Sequence, residues 1–140
     1  MKILKITAIL IAFWGLIPLH TLGQEAQDEQ KQMVIKETVD VYYFHFTRRC
    51  AGCKAVEAET QKALQSYFPE AMKTGKIAFK SINLDEKENE ALADKIGVSA
   101  QSLLVVKGDT KEDLTDMAFM YARTKPEKYH KTLRKTIENL

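Results

Sequence analysis

The stretch MVIKETVDVYYFHF, residues 33–46, sets the first constraint on the fold. Successive side chains of an extended chain point to opposite faces. Val39, Val41 and Tyr43 fill one face here, and Tyr42, Phe44 and Phe46 fill the other. A strand apolar on both faces must be covered on both, which calls for a central strand between two layers. From Cys53 the period changes. Val56, Thr60, Ala63, Leu64 and Tyr67 recur at intervals of three and four, which predicts an amphipathic helix running to about Phe68 and stopped near Pro69. KIAFKSINL (76–84) predicts a second strand after the turn KTGK. DEKENEALADKIG predicts a second helix, with Asp85 as N-cap, Glu88 as its capping-box partner and Gly97 at the end. SLLVV (102–106) predicts a central strand, KGDTKED a turn, and DMAFMYA (116–122) a last strand. TKPEKYHKTLRKTIENL predicts the closing helix, opened by a Thr124–Glu127 capping box and carrying Tyr129, Leu133, Ile137 and Leu140 on its buried side. Alternating strands and helices imply parallel pairing through crossovers, with an antiparallel hairpin before the last strand.

The start of the chain has a different character. MKILK is basic, ITAILIAFWGLIPL is an uncharged apolar run, and HTLG leads into the polar QEAQDEQ. This is the layout of a secretory signal peptide, with Thr21 and Gly23 as the small residues before a cut after Gly23. The apolar run falls short of the ~20 residues a spanning helix needs, and Pro18 interrupts it. The expected organisation is a signal peptide over 1–23, a flexible polar leader over 24–35 and one domain over 36–140. The expected location is the periplasm or extracellular space, with no membrane attachment after cleavage. Of the 21 basic residues, Lys2 and Lys5 lie in the signal, leaving 19 against 19 acidic. No basic stripe remains to suggest nucleic-acid binding. About 117 residues suffice for one modest core.

The only two cysteines are Cys50 and Cys53, in RRCAGCK. Cys50 falls where the strand gives way to the helix, and Cys53 one turn inside. The first N–H groups of a helix lack internal partners and, with the helix dipole, favour a thiolate. Arg48, Arg49 and Lys54 add positive charge nearby and are expected to tune the Cys50 thiol downward. An exposed low-pKa sulfur backed by a shielded one suits thiol–disulfide exchange: Cys50 attacks, and Cys53 resolves the mixed disulfide. Two other readings stand beside it. A thiolate carrier for Cu or Zn would draw on the same pair, but two cysteines supply only half of a tetrahedral site, and neither His45 nor His130 stands at ligand spacing. His45 is expected to pack or bond locally in its strand, and His130 to lie on the surface. A structural staple would close too small a loop to constrain the unfolded chain much.

Element order and FTRRCAGCK together resemble the thioredoxin superfamily over about residues 36–140. VYYFHFTRRCAGCK looks like its strand, active-site loop and helix start, and QSLLVVKGD like the strand that follows its cis-proline loop. The resemblance implies a three-layer α/β/α sandwich with a mixed sheet of four strands, or five. It implies a Cys50–Cys53 redox-active disulfide, no organic cofactor, a partner protein offering a disulfide or thiol, and a monomer. It places the substrate-docking backbone at Ala100 and Gln101. Gln101 stands where the family has its cis-proline, so a trans bond is expected there. Counting six residues back from the first cysteine, Phe44 stands where the family often buries an Asp, with His45 and Asp40 as substitutes if they face the pair. A non-enzymatic thioredoxin-like binding module is the alternative. The pattern YYFH…RC…C is also similar to small exported proteins labelled nitrophenyl-compound nitroreductase subunit, ArsF-like, although no flavin or nicotinamide fingerprint accompanies it.

Overall fold

The structure is a computed structural model that describes residues 38–140. The expected signal peptide and leader, and the first residues of the expected domain, lie outside the described residues. The described residues form one compact unit.

Val39–His45 form strand β1, the alternating apolar run predicted above. Helix α1 spans Ala51–Tyr67 and a short helix α2 spans Pro69–Lys73, with Pro69 at its first turn, where a missing N–H costs nothing. Strand β2 covers Ile77–Asn83. A single 3₁₀ turn at Lys87–Asn89 precedes helix α3, Glu90–Ile96, which ends on Gly97 in the left-handed conformation (φ 78°). Strands β3 (Ser102–Lys107) and β4 (Thr110–Asp113) form a hairpin. Helices α4 (Thr115–Tyr121) and α5 (Pro126–Asn139) close the chain.

The sheet has four strands in the order β2-β1-β3-β4 and is mixed. β1 runs parallel to β2, with Val41 opposite Phe79, and antiparallel to β3, with Val41 opposite Val105. β1 is therefore central, as its two apolar faces require. On one side, Val41, Tyr43, Leu103 and Val105 pack with Val56 and Leu64 of α1, Ala118 of α4, and Tyr129 and Leu133 of α5. On the other, Tyr42, Phe44 and Leu104 pack with Ala93 of α3. The result is an α/β/α sandwich whose mixed four-stranded sheet matches the expected class.

Residues 115–121 are a helix, contrary to the strand expected over 116–122. Leu114, Ala118 and Ala122 are buried at intervals of four, which one face of a helix explains and strand alternation does not. The last strand is instead Thr110–Asp113, within the segment expected to be only a turn, and its four side chains are exposed. Both expected capping boxes are absent. Asp85 reaches across to the loop after β1 instead of capping α3. Thr124 donates to the Met120 carbonyl, while Lys125 precedes Pro126 at the start of α5.

Candidate active site

The loop between β1 and α1 is held by its neighbours. The Asp85 carboxylate accepts from the Thr47 N–H at 2.7 Å, Asn83 donates to the Thr47 hydroxyl at 3.0 Å, and the Leu84 N–H donates to the His45 carbonyl at 2.7 Å. These bonds fix where the chain turns from strand into helix, and so where the cysteines sit.

Cys50 is the N-cap of α1. Its backbone is extended (φ −79°, ψ 172°) and its Sγ accepts from the Cys53 N–H at 3.3 Å, the bond a Ser or Asp cap would make with oxygen. The first turn of α1 holds no acidic residue to oppose a negative sulfur. Cys50 is exposed, whereas Cys53 is 2% exposed. Both thiols are free, and their sulfurs lie 2.7 Å apart, in contact. The Cys50 thiol is held below its ordinary value, first by the hydrogen bond from the Cys53 side chain, then by the Cys53 backbone N–H. Partial desolvation opposes these, and the Gly52 and Cys50 N–H groups assist.

The basic residues expected to tune Cys50 are placed otherwise. Arg49 is turned onto the Glu57 carboxylate, with which it forms an ion pair. Arg48 and Lys54 stand exposed. The helix N-terminus and the second thiol supply what was expected of the three cations.

Phe44 is fully buried, but its side chain faces the α3 layer, away from the cysteines. The strand residue beneath the pair is Tyr43, whose hydroxyl donates to the Cys53 carbonyl at 2.9 Å. Burial first, then the nearby Cys53 sulfur, raise the Tyr43 hydroxyl well above its ordinary range, while Arg49 opposes. Tyr43 therefore stays neutral and serves as a fixed donor. Asp40 faces Lys80, at 2.9 Å, and not the pair. His45 bonds locally, its Nδ1–H donating to the Phe46 carbonyl at 3.0 Å, as expected. His130 is not on the surface: its Nε2 lies 2.7 Å from Glu59 Oε2 between α1 and α5.

No described peptide bond is cis, Gln101 included. The Gln101 side chain reaches Cys53, with Nε2 at 3.5 Å and Oε1 at 3.7 Å from its Sγ. Ala100 and Gln101 line an open groove of about 510 Å³ together with Phe46, Thr115, Asp116 and Phe119. A Cβ built on Gly52 would stand 3.6 Å from Cys50 Sγ and 3.9 Å from the Phe119 ring, so Phe119 walls the cysteine turn on this side. The opposite side is a polar groove of about 480 Å³ bordered by His45, Thr47, Arg49, Glu57, Ser81, Asn83 and Glu86. Ser81 donates to Glu57 there at 2.6 Å. Sequence reasoning missed Tyr43, Glu57 and Phe119. The Leu114, Ala118, Ala122 spacing could have exposed α4, and with it Phe119. Nothing local in the sequence marks Glu57.

Among the described residues no group of three or more His, Cys, Asp or Glu could hold a metal ion. No described helix is long and apolar enough to cross a membrane.

No family model matches the chain, and no curated protein does. Solved structures do. Thioredoxin-2, described as a component of malaria parasite protein secretion machinery, is 29% identical, with 54% of this chain and 65% of that one covered and a TM-score of 0.40. Thioredoxin O2 from Arabidopsis thaliana is 22% identical, with 54% and 60% covered and a TM-score of 0.43. The germline-specific thioredoxin Deadhead from Drosophila melanogaster is 18% identical, with 71% and 81% covered and a TM-score of 0.45. The chain thus spans less than two thirds of the first two. These likenesses are partial, and the chemistry rests on the geometry of the cysteine turn.

Proposed function

We propose that this chain is a thiol–disulfide oxidoreductase, exported after removal of residues 1–23, that exchanges electrons with cysteines of a partner protein. One observation carries the reading. An exposed cysteine caps the helix, accepts that helix's N–H, and touches a second, buried cysteine.

In the reducing direction the Cys50 thiolate attacks one sulfur of the partner's disulfide. A Cys50–partner bond forms, and the first partner thiolate leaves and takes a proton from water. Cys53 gives its proton to water and attacks Cys50 Sγ. The Cys50–Cys53 bond forms, the mixed disulfide breaks, and the second partner thiol is released. The two electrons of the dithiol end on the partner, and each step runs backwards when the protein oxidises. Stabilising the reduced thiolate pushes the couple toward the oxidising end, within the range of about −270 to −120 mV spanned by thiol oxidoreductases. No organic cofactor is needed. The narrower likeness to the nitroreductase-subunit group adds no chemistry to this.

The test is insulin reduction with dithiothreitol as donor. Turnover is expected in the wild type and absent in Cys50→Ser, while Cys53→Ser accumulates a covalent adduct with the partner. Alkylation of Cys50 by iodoacetamide should be half-maximal below the ~8.5 of an ordinary thiol. No turnover, combined with a Cys50 that reacts only at or above that pH, would remove the catalytic reading and leave a binding module.

A further inference from the structure

The mechanism leaves one feature unused, which is the side chain of Gln101 against the buried sulfur. Its amide nitrogen and oxygen lie 3.5 and 3.7 Å from Cys53 Sγ, both within hydrogen-bonding reach of sulfur. Among the described residues, the only other polar side-chain atom in such reach of that sulfur is Cys50 Sγ. The charged groups nearby are engaged elsewhere or stand at the rim. Arg49 and Glu57 pair with each other on the polar side, and Asp116 borders the apolar groove.

We propose that Gln101 is a positioning residue for the resolving step, holding Cys53 Sγ both before and after it loses its proton. This rests on the oxidoreductase reading above. The reason lies in chemical type. A buried thiol must find an acceptor for its S–H, and the thiolate it becomes must find a donor. A carboxylate would serve the first and repel the second. An ammonium would serve the second and offer nothing to the first. A primary amide is the uncharged group that carries an acceptor and two donors on one planar tip. Once Cys50 Sγ is taken up in the mixed disulfide and no longer accepts from Cys53, Oε1 accepts from the Cys53 thiol, and Nε2–H then donates to the thiolate. The exchange needs no movement of the backbone, because both atoms already flank the sulfur. Gln101 immediately precedes β3, whose pairing with β1 fixes its distance from α1. Tyr43 holds the Cys53 backbone from below, while Gln101 holds the sulfur from the side. During resolution Gln101 forms and breaks no covalent bond. It lowers the cost of the negative Cys53 sulfur and keeps it aimed at Cys50.

The test separates capture from resolution. The reduced protein is mixed in stopped flow with an aryl disulfide whose thiolate is coloured on release. The first burst reports attack by Cys50, and the second reports release of the other aryl thiolate when Cys53 closes the ring. The variants are Gln101→Met, which keeps length without the amide, and Gln101→Glu, which keeps the acceptor and loses the donor. In Gln101→Met the second burst should slow about tenfold more than the first, the scale of one hydrogen bond to a charged group. Its half-maximal pH should move upward. In Gln101→Glu the upward move should be larger. A second burst in both variants with the wild-type rate and pH profile would overturn the proposal and leave the oxidoreductase reading intact. A wild type that shows no second burst, identical to Cys53→Ala, would overturn both.

Discussion

Phe46, Ala100, Gln101 and Phe119 border the cysteine turn on one side, while Arg49, Glu57, Ser81 and Asn83 border it on the other. The first border is largely apolar and draws on two loops and α4. The second is polar, and its members are bonded to one another: Arg49 to Glu57, Glu57 to Ser81, and Asn83 to Thr47 and Glu86. The difference separates two tasks. Paired polar groups hold the loop and the helix start in place and have little left to offer a ligand. Unpaired apolar surface beside an exposed nucleophile gains free energy when a partner covers it. The partner is therefore expected to approach over Phe119.

Variants on each side test this division of tasks. The largest effect is expected from Phe119→Asp, which places a charge in the apolar groove. It should lower kcat/KM on a protein disulfide between about tenfold and a hundredfold, the range set by covering an aromatic side chain. Capture of a small aryl disulfide by Cys50 should change by less than about twofold. An equal loss on both substrates would mean that Phe119 shapes the cysteine turn itself and not the docking of a partner.

A smaller effect is expected from Glu57→Gln on the polar side. It should cost about 0.5–1 kcal/mol of stability in urea unfolding, since the pair it breaks is only partly shielded. Reduction of the protein substrate should hold its rate. If activity falls as far as in Phe119→Asp, the two sides do not divide the work in this way.

The smallest effect is the pH dependence of that same difference. Burial alone would raise the Glu57 carboxyl, but the Ser81 hydroxyl and Arg49 outweigh it and hold it below its ordinary value. A depressed folded value adds stability above the unfolded value of ~4.3, and that contribution fades as pH falls through the folded one. The gap between wild type and Glu57→Gln should therefore be full at pH 7 and shrink in strong acid. A gap that widens on acidification would contradict the assignment of Glu57 as the low-lying member of the pair.

Much of the scaffold was legible in the residues, for a physical reason. β1, α1 and α5 each bury residues at their own period, so Val39 to Phe44, Val56 to Leu64, and Tyr129 to Ile137 declare their structure locally. DMAFMYA did not. A seven-residue apolar run satisfies both periods, and only the burial of Leu114, Ala118 and Ala122 decides between them. β4 was illegible because its four exposed residues carry no pattern, and its pairing with β3 is imposed by the hairpin. The place of the two cysteines, one at the strand-to-helix junction and one a turn inside, could be read from the residues. Their surroundings could not, because these come from distant segments. Counting back from Cys50 pointed to Phe44, yet one residue's difference in a strand reverses the face, and Tyr43 is the residue beneath the pair. Gln101 was expected to offer its backbone to a partner, and that its side chain also reaches the Cys53 sulfur was not legible in the sequence.

Cys50 caps its own helix and is also the proposed nucleophile. When the proposed mixed disulfide forms, the Cys50 sulfur becomes neutral and divalent, and the Cys53 N–H loses much of the acceptor that closed the first turn. The proposed exchange would therefore loosen and retighten the leading edge of α1 once per cycle. Amide hydrogen exchange at Cys53 should keep that rhythm, slow with Cys50 free and faster while it is occupied. The helix then reports its own chemical state to any probe of backbone protection, without a label.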